Sequence, residues 1–325
     1  MLSCKDEKRG CFVCYCKKCN QYKIILFGCN SRLCSCCGKR HTDRWATMLA
    51  NKVKKGIMHR HLVFSLPVEL RDPIKKKRYL QKVISDAAFK AIHKTFSSMK
   101  KKKIIPGVIG VVHPFGKDLK FNPHVHCIVT EGGFDVSGKF IQLGQYIPYD
   151  CIHKIWQNEV LTLLKNHLDK DFIDFLFRKY PNGFAAYVKP ERISSSKGLA
   201  QYIGRYVRHP AIANSRIIGY NKEAVKSFYQ DHEKKIHRKI MLVDEFISAI
   251  IQHIPEKNFR LIRYYGIYSR RKIRMVNQSI ITQKKLIEFN GKRTFYCPDC
   301  NEIMEIVWYC EKPPPKDMSK IVNWL

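Results

Sequence analysis

The chain has 325 residues, of which 45% are hydrophobic, and its 60 Lys and Arg against 27 Asp and Glu give a formal net charge of +33. That hydrophobic content supplies a sizeable core and excludes wholesale disorder. So large a positive surplus repels itself unless a polyanion lies against it, which points to nucleic acid first and acidic lipid second. The sequence contains no uninterrupted apolar run of membrane-spanning length, and MLSCKDEKRG lacks the apolar stretch of a signal peptide. Both a membrane-embedded and a secreted protein are therefore disfavoured.

Composition divides the chain into a Cys-rich module over 1–48, an alternating region over 55–210, a basic and aromatic region over 211–285, and a second Cys-containing segment with a Pro-rich tail over 286–325. Of 14 Cys, nine fall within the first 37 residues and three lie from Cys297 to Cys310. Clustered C-x-x-C pairs in a long basic chain read as reduced thiolates held for metal, and so as a cytoplasmic protein. Cys16-x2-Cys19-x14-Cys34-x2-Cys37 has the double-knuckle spacing of a structural zinc site, in which two loops close one tetrahedron of sulfurs. Cys4 and Cys29 are additional candidate ligands. Cys297-x2-Cys300 is a single knuckle; with Cys310 as a third ligand it still lacks an obvious fourth.

Apolar period and chain breakers predict the elements that follow. Residues 61–66 (HLVFSL) read as a strand stopped by Pro67, and 75–99 as an amphipathic helix through Leu80, Val83, Ile84, Ala87, Ala88, Ile92 and Phe96. Strands are expected over 107–112 and 124–130, joined through the turn-rich PFGKDLKFNP as an antiparallel pair. Residues 149–180 make one or two helices, 184–188 a strand and 197–207 a helix. The order predicts an α+β fold with helices on one face of an antiparallel sheet, preceded by a small Cys-rich zinc-binding module.

Two constellations within this frame carry chemistry. Strand alternation places His124 and His126 on one face with Val125 on the other, and two neutral imidazoles side by side bind a divalent ion. His113, across the expected hairpin, either completes a facial His triad or is a turn residue hydrogen-bonded beside Pro114. Tyr202 and Tyr206 are four residues apart, so on a helix both hydroxyls emerge from one face. They read either as packing tyrosines or as phosphodiester nucleophiles, with Arg205 and Arg208 beside them and a cation polarising the target phosphate. Further along, Arg216 and Arg263 fall among interleaved tyrosines, a composition that suits a single-strand channel or, equally, a core edge with a solvated face.

Taken together, CNSRLCSCCGKRHTDRWA, HLVFSLP, HPFGKDLKFNPHVHCIVTEGGF, QYIGRYVRHPAIANSRI and EFISAIIQHIPEKNFRLIRYYG resemble the transposases of the insertion sequence ninety-one family. These are two-tyrosine members of the HUH (His–hydrophobic–His) endonucleases. The resemblance implies an HUH-type antiparallel sheet sandwich with helices and a sheet-borne site for Mg²⁺ or Mn²⁺ at His124 and His126, with His113 as third ligand and Gln201 and His209 as alternatives. It implies Zn²⁺ in the N-terminal module and Tyr202 and Tyr206 as nucleophiles that nick and rejoin single-stranded DNA through a 5′-phosphotyrosine, with DNA contacts from Arg205, Arg208, Arg216 and Arg263. The implied partner is single-stranded DNA at the ends and target of a mobile element, in the nucleoid-associated cytoplasm of a bacterium. A plasmid or phage replication initiator shares this chemistry, and a non-catalytic zinc-module regulator is the reading from another class.

Overall fold

The structure is a computed structural model that describes residues 4–31, 34, 37–38, 56–144, 147–194, 211–231, 233–269 and 295–310. The chain forms two compact units, one built from Met1–Gly38 with Thr282–Leu325 and the other from Lys39–Ile281. The C-terminal segment thus folds with the N-terminal module.

In the first unit, strands β1 (Cys11–Cys16) and β2 (Gln21–Leu26) form an antiparallel hairpin. β13 (Ile303–Cys310) pairs with the free edge of β1, and β12 (Phe295–Tyr296) with β13. Two strands alone are marginal in water, and the C-terminal pair completes a four-stranded sheet. Its small core holds Cys14, Cys16, Cys297 and Met304, with Cys11 and Val13 buried nearby.

In the second unit, β3 (His59–Ser65), β4 (Ile105–Phe115), β5 (Phe121–Phe134), β7 (Ala186–Ile193) and β11 (Ile262–Gly266) lie in the order β11-β4-β5-β3-β7, and β6 (Phe140–Gln142) pairs with β5. Every pairing is antiparallel. The expected α+β class is what the structure has. Alternation divides the sheet: Leu62, Phe64, Val125, Cys127 and Val129 enter the main core, while Ile109, Val111 and Ile128 pack with Ile267 and Tyr268 in a second cluster.

The main core is closed by α2 (Gln81–Met99) and α3 (Tyr149–Leu164). Ile84, Ala87, Ala88, Ala91, Ile92 and Phe96 of α2 recur at helical spacing and are buried. Small Ala residues let this helix approach closely, and Trp156 of α3 fills the remaining depth while its indole donates to the Ser65 carbonyl at 3.1 Å.

Two expectations change in detail. The helix read over 75–99 is interrupted: α1 (Arg71–Lys76) ends at Lys77, whose backbone (φ −121°, ψ 69°) is not helical, and a 3₁₀ turn at Arg78–Leu80 leads into α2. The stretch 149–180, read as one or two helices, is two and so within that expectation: α3 and α4 (Lys170–Lys179). β4 runs on through Pro114 to Phe115, with a register shift between His113 and Phe115 that accommodates the proline, and the turn itself is confined to 116–120. The helix expected over 197–207 lies outside the described residues. Beyond it, β8 (Ile217–Tyr220), β9 (Ala224–Gln230) and β10 (Ile236–Leu242) form a three-stranded antiparallel sheet, followed by α5 (Val243–Gln252).

Candidate active site and metal centres

The β4–β5 hairpin sets His113 directly opposite His124 and Val111 opposite His126. Because alternate residues share a face, His124 and His126 stand beside His113 on the side of the sheet away from α2 and α3. Ring centroids are 5.5 Å apart for His113–His124 and 4.9 Å apart for both His113–His126 and His124–His126. Their ligating nitrogens all lie within 4.8 Å of one another, and the three rings are half-buried. The sequence-predicted triad is therefore brought together in space.

Each imidazole of the H-x-H pair has a partner for its other nitrogen. His124 Nδ1 donates to the Asn122 main-chain carbonyl at 2.7 Å, which leaves Nε2 as its lone-pair nitrogen. His126 Nδ1 lies 2.9 Å from Nε2 of His61, and the two rings stack at 5.1 Å, tilted by only 11°. His61 comes from β3 and is 1% exposed. Burial, then the Lys189 and His113 charges, push its pKa down to about 3. Burial, followed by His113, His124, His61 and Lys189, holds His126 well below the ordinary histidine range. His61 and His126 are thus kept neutral, the form in which imidazole ligates metal.

His61 and Lys189 were not among the residues singled out in the sequence. His61 sits in HLVFSLP, and its alternation with His59 on a strand was the available signal. Lys189 on β7 is a lone basic residue among 60, and only the fold places its charge beside the histidines. Arg263 lies on β11 between Ile262 and Tyr264, two residues before Tyr265. Tyr265 packs in the helix-side core and Tyr264 in the opposite cluster, so alternation puts Arg263 on the face away from the His triad. Arg216 ends the short 3₁₀ turn Asn214–Arg216 and is half-buried. Tyr202, Tyr206, Arg205, Arg208, Gln201 and His209 lie outside the described residues.

The cysteines form two clusters where the spacing suggested one. Cys34 and Cys37 gather with Cys4 and Cys29; Cys16 and Cys19 gather with Cys297 and Cys300. The hairpin explains the separation. Cys16 pairs with Gln21 at its closed end and Cys11 with Leu26 at its open end, so six residues of strand, about 17–20 Å, divide the two groups. Cys4 precedes β1 and Cys29 follows β2, which puts both at the open end. There Cys34 and Cys4 sulfurs are 3.4 Å apart, Cys4 and Cys37 3.6 Å, and Cys29 and Cys37 3.9 Å. A tetrahedron with Zn–S of about 2.3 Å has edges of about 3.8 Å, so this set fits one zinc ion. The Cys29 amide donates to Cys4 Sγ and the Ser31 amide to Cys29 Sγ, both at 3.5 Å, which supports anionic sulfur. Cys310 stands opposite Cys11 on β13, at the far end of that strand from Cys297 and Cys300.

Comparison with known proteins matches this arrangement to two family models. Residues 107–275 match the family described as "Putative transposase", and residues 1–66 match the "Transposase zinc-binding domain". The chain is 26% identical over 295 residues to the "Transposase for insertion sequence element IS801" of Pseudomonas savastanoi pv. phaseolicola, covering 83% of this chain and 69% of that one. It is 24% identical over 289 residues to "Putative transposase y4qJ" of Sinorhizobium fredii (strain NBRC 101917 / NGR234), covering 82% and 72%. No solved structure matches. No helix among the described residues is long and apolar enough to cross a membrane. The transposase model spans just over half of the chain and contains all three histidines of the hairpin, and on that ground the chain belongs to the insertion sequence ninety-one family of transposases, with a zinc-binding domain in its first 66 residues.

Proposed function

We propose that this transposase nicks and rejoins single-stranded DNA through a 5′-phosphotyrosine, with Tyr202 and Tyr206 as nucleophiles and His113, His124 and His126 holding Mg²⁺ or Mn²⁺. The observation that carries the reading is the convergence of the three imidazoles on one face of the β4–β5 hairpin. Three neutral nitrogen donors favour Mn²⁺ over Mg²⁺, whose preferred ligands are oxygens. When bound, the ion supplies Lewis-acid polarisation of the scissile phosphate and stabilises the leaving oxygen.

The remaining roles fall to the chain's own groups. One tyrosine Oη bonds to phosphorus and loses its proton while the P–O3′ bond breaks, so the DNA keeps a free 3′-OH and the enzyme the 5′-phosphate. The second tyrosine provides for a second strand transfer before the first link is resolved. Lys189, whose charge reaches His61 and His126, is suited to hold a phosphate at the cluster. Arg205, Arg208 and Arg216 are proposed to track the DNA backbone. Arg263 retains that role only for DNA running along the helix side of β11. The substrate is single-stranded DNA at mobile-element ends and targets, met at the bacterial nucleoid.

The test is covalent capture of a single-stranded element-end oligonucleotide in Mn²⁺. The wild-type chain is expected to give a denaturant-resistant adduct, abolished by chelation and by the combined Tyr202→Phe and Tyr206→Phe substitutions. An undiminished adduct in the double variant overturns the nucleophile assignment. Metal-independent DNA binding with no adduct favours the non-catalytic regulator.

A further inference from the structure

We propose that Cys16, Cys19, Cys297 and Cys300 hold a second structural zinc ion, in a site assembled from two knuckles that lie 278 positions apart in the chain (Cys19 to Cys297). The proposal is independent of the nicking chemistry. It goes beyond a zinc-binding domain matched to residues 1–66, because half of its ligands come from the other end of the sequence.

Topology brings the knuckles together. The first occupies the turn between β1 and β2, and the second the turn between β12 and β13. β13 runs antiparallel to β1, pairing Tyr15 with Glu305 and Cys11 with Cys310, so both turns emerge at the same end of the sheet. All four sulfurs lie within 4.8 Å of one another, and Cys16 Sγ is 3.6 Å from Cys300 Sγ. That separation is close to the edge of about 3.8 Å of a tetrahedron with Zn–S of about 2.3 Å, and far beyond the roughly 2.05 Å of a disulfide. It is also the spacing of one ion rather than of a multi-iron cluster.

The two loops share a sequence pattern and a left-handed residue. Each reads C-x-x-C-N, and the residue after the second cysteine is left-handed in both, Asn20 at φ 52° and Asn301 at φ 59°. Asparagine tolerates that region better than other residues with a Cβ, and the reversal it makes turns the chain back into the next strand. In the second loop the Cys297 amide bonds to the Glu302 carbonyl at 2.8 Å and the Asn301 amide to the Cys297 carbonyl at 3.0 Å, closing the turn around the ligands. Zinc is the ion of choice because a four-thiolate tetrahedral site has no open position and suits a d¹⁰ ion. The site staples β1–β2 to β12–β13, so the zinc-binding module of this chain is complete only with its C-terminal segment.

The experiment uses the full-length protein. Elemental analysis is expected to find two zinc ions per chain in the wild type and one in the combined Cys297→Ser and Cys300→Ser variant. Cys300→His, which keeps four ligands, should retain two. A misfolded variant is bypassed by footprinting the zinc-loaded wild type with a thiol alkylator. Cys16, Cys19, Cys297 and Cys300 should be spared together and become reactive together on chelation, while Cys127, buried in the sheet of the other unit, stays spared. One zinc in the wild type, iron in its place, a Cys16–Cys300 disulfide, or full-rate alkylation of Cys297 and Cys300 before chelation would each overturn the proposal.

Discussion

His61 Nε2 lies 2.9 Å from His126 Nδ1, so a fully buried imidazole on β3 backs the half-buried one that faces the candidate metal centre. A ligand at His126 Nε2 requires its Nδ1 to carry the proton, which makes His61 the acceptor. Outer-shell partners of this kind are worth about 10–100-fold in metal affinity. His61→Leu should therefore weaken Mn²⁺ binding by about that factor, while His61→Gln, which keeps an acceptor, should restore most of it. An unchanged Mn²⁺ titration by electron paramagnetic resonance in the Leu variant would remove His61 from the site.

His113 faces the H-x-H pair across the hairpin and competes with Gln201 and His209 for the third ligand position. His113→Ala should lower Mn²⁺ affinity by more than about 100-fold, beyond the range of an outer-shell partner. Asn122→Ala is the matched control. His124 uses the Asn122 main-chain oxygen, and the buried Asn122 side-chain oxygen has no hydrogen-bond partner among the described residues, so its removal should leave affinity unchanged. Calorimetric titration separates the two, and equal affinities would exclude His113.

Stability should fall as pH drops from 6.5 toward 4. His59 is 1% exposed, and burial pushes its pKa down to about 4, its Nε2 lying 2.6 Å from the Tyr268 hydroxyl. The unfolded chain binds a proton near pH 6.5 and the folded chain only near 4. The stabilisation is thus fully present above the higher value and is lost through that window, amounting to about 3 kcal/mol at most. His59→Gln should flatten the pH dependence of the urea midpoint over this range. A slope identical to wild type would show that another group dominates.

Gly266 closes β11 at φ +57°, and a Cβ there would lie 1.7 Å from the Pro106 carbonyl oxygen. The turn it makes carries Ile267 and Tyr268 onto the sheet beside Ile109, Val111 and Ile128. Gly266→Ala should cost more than about 3 kcal/mol, combining backbone strain with a clash against main chain. Gly138, also left-handed at φ +81° but with nothing among the described residues within 4 Å of its would-be Cβ, should lose only about 1–2 kcal/mol as Ala. Equal urea midpoints for the two variants would contradict this packing.

Local pattern carried much of the fold. The alternation in HLVFSL and HVHCIVT marks strands because a half-buried sheet has a period of two, and the Ile84-to-Phe96 spacing marks α2 because a helix has a period near 3.6. The break at Lys77 was not legible, since the run 75–78 (KKKR) carries no apolar residue whose spacing could show that the helical period is interrupted. At the site, His124 and His126 announce themselves by alternation and His113 by hairpin logic. His61 did not, because its partner lies on a strand 65 residues away, and nothing in HLVFSLP distinguishes a core histidine from one that orients a ligand.

Spacing along the chain determined by itself that thiolate pairs and an H-x-H strand exist, because neighbours two or three residues apart are held together by local geometry. Only the tertiary structure decided which pairs come together. Cys16-x2-Cys19 and Cys34-x2-Cys37 are close in sequence, yet a six-residue hairpin puts them at opposite ends. Cys297-x2-Cys300 is remote in sequence, yet antiparallel pairing of β13 with β1 returns it to the first knuckle. Register between strands is a long-range property, fixed by hydrogen bonding and burial across the whole sheet, and a count of intervening residues does not encode it.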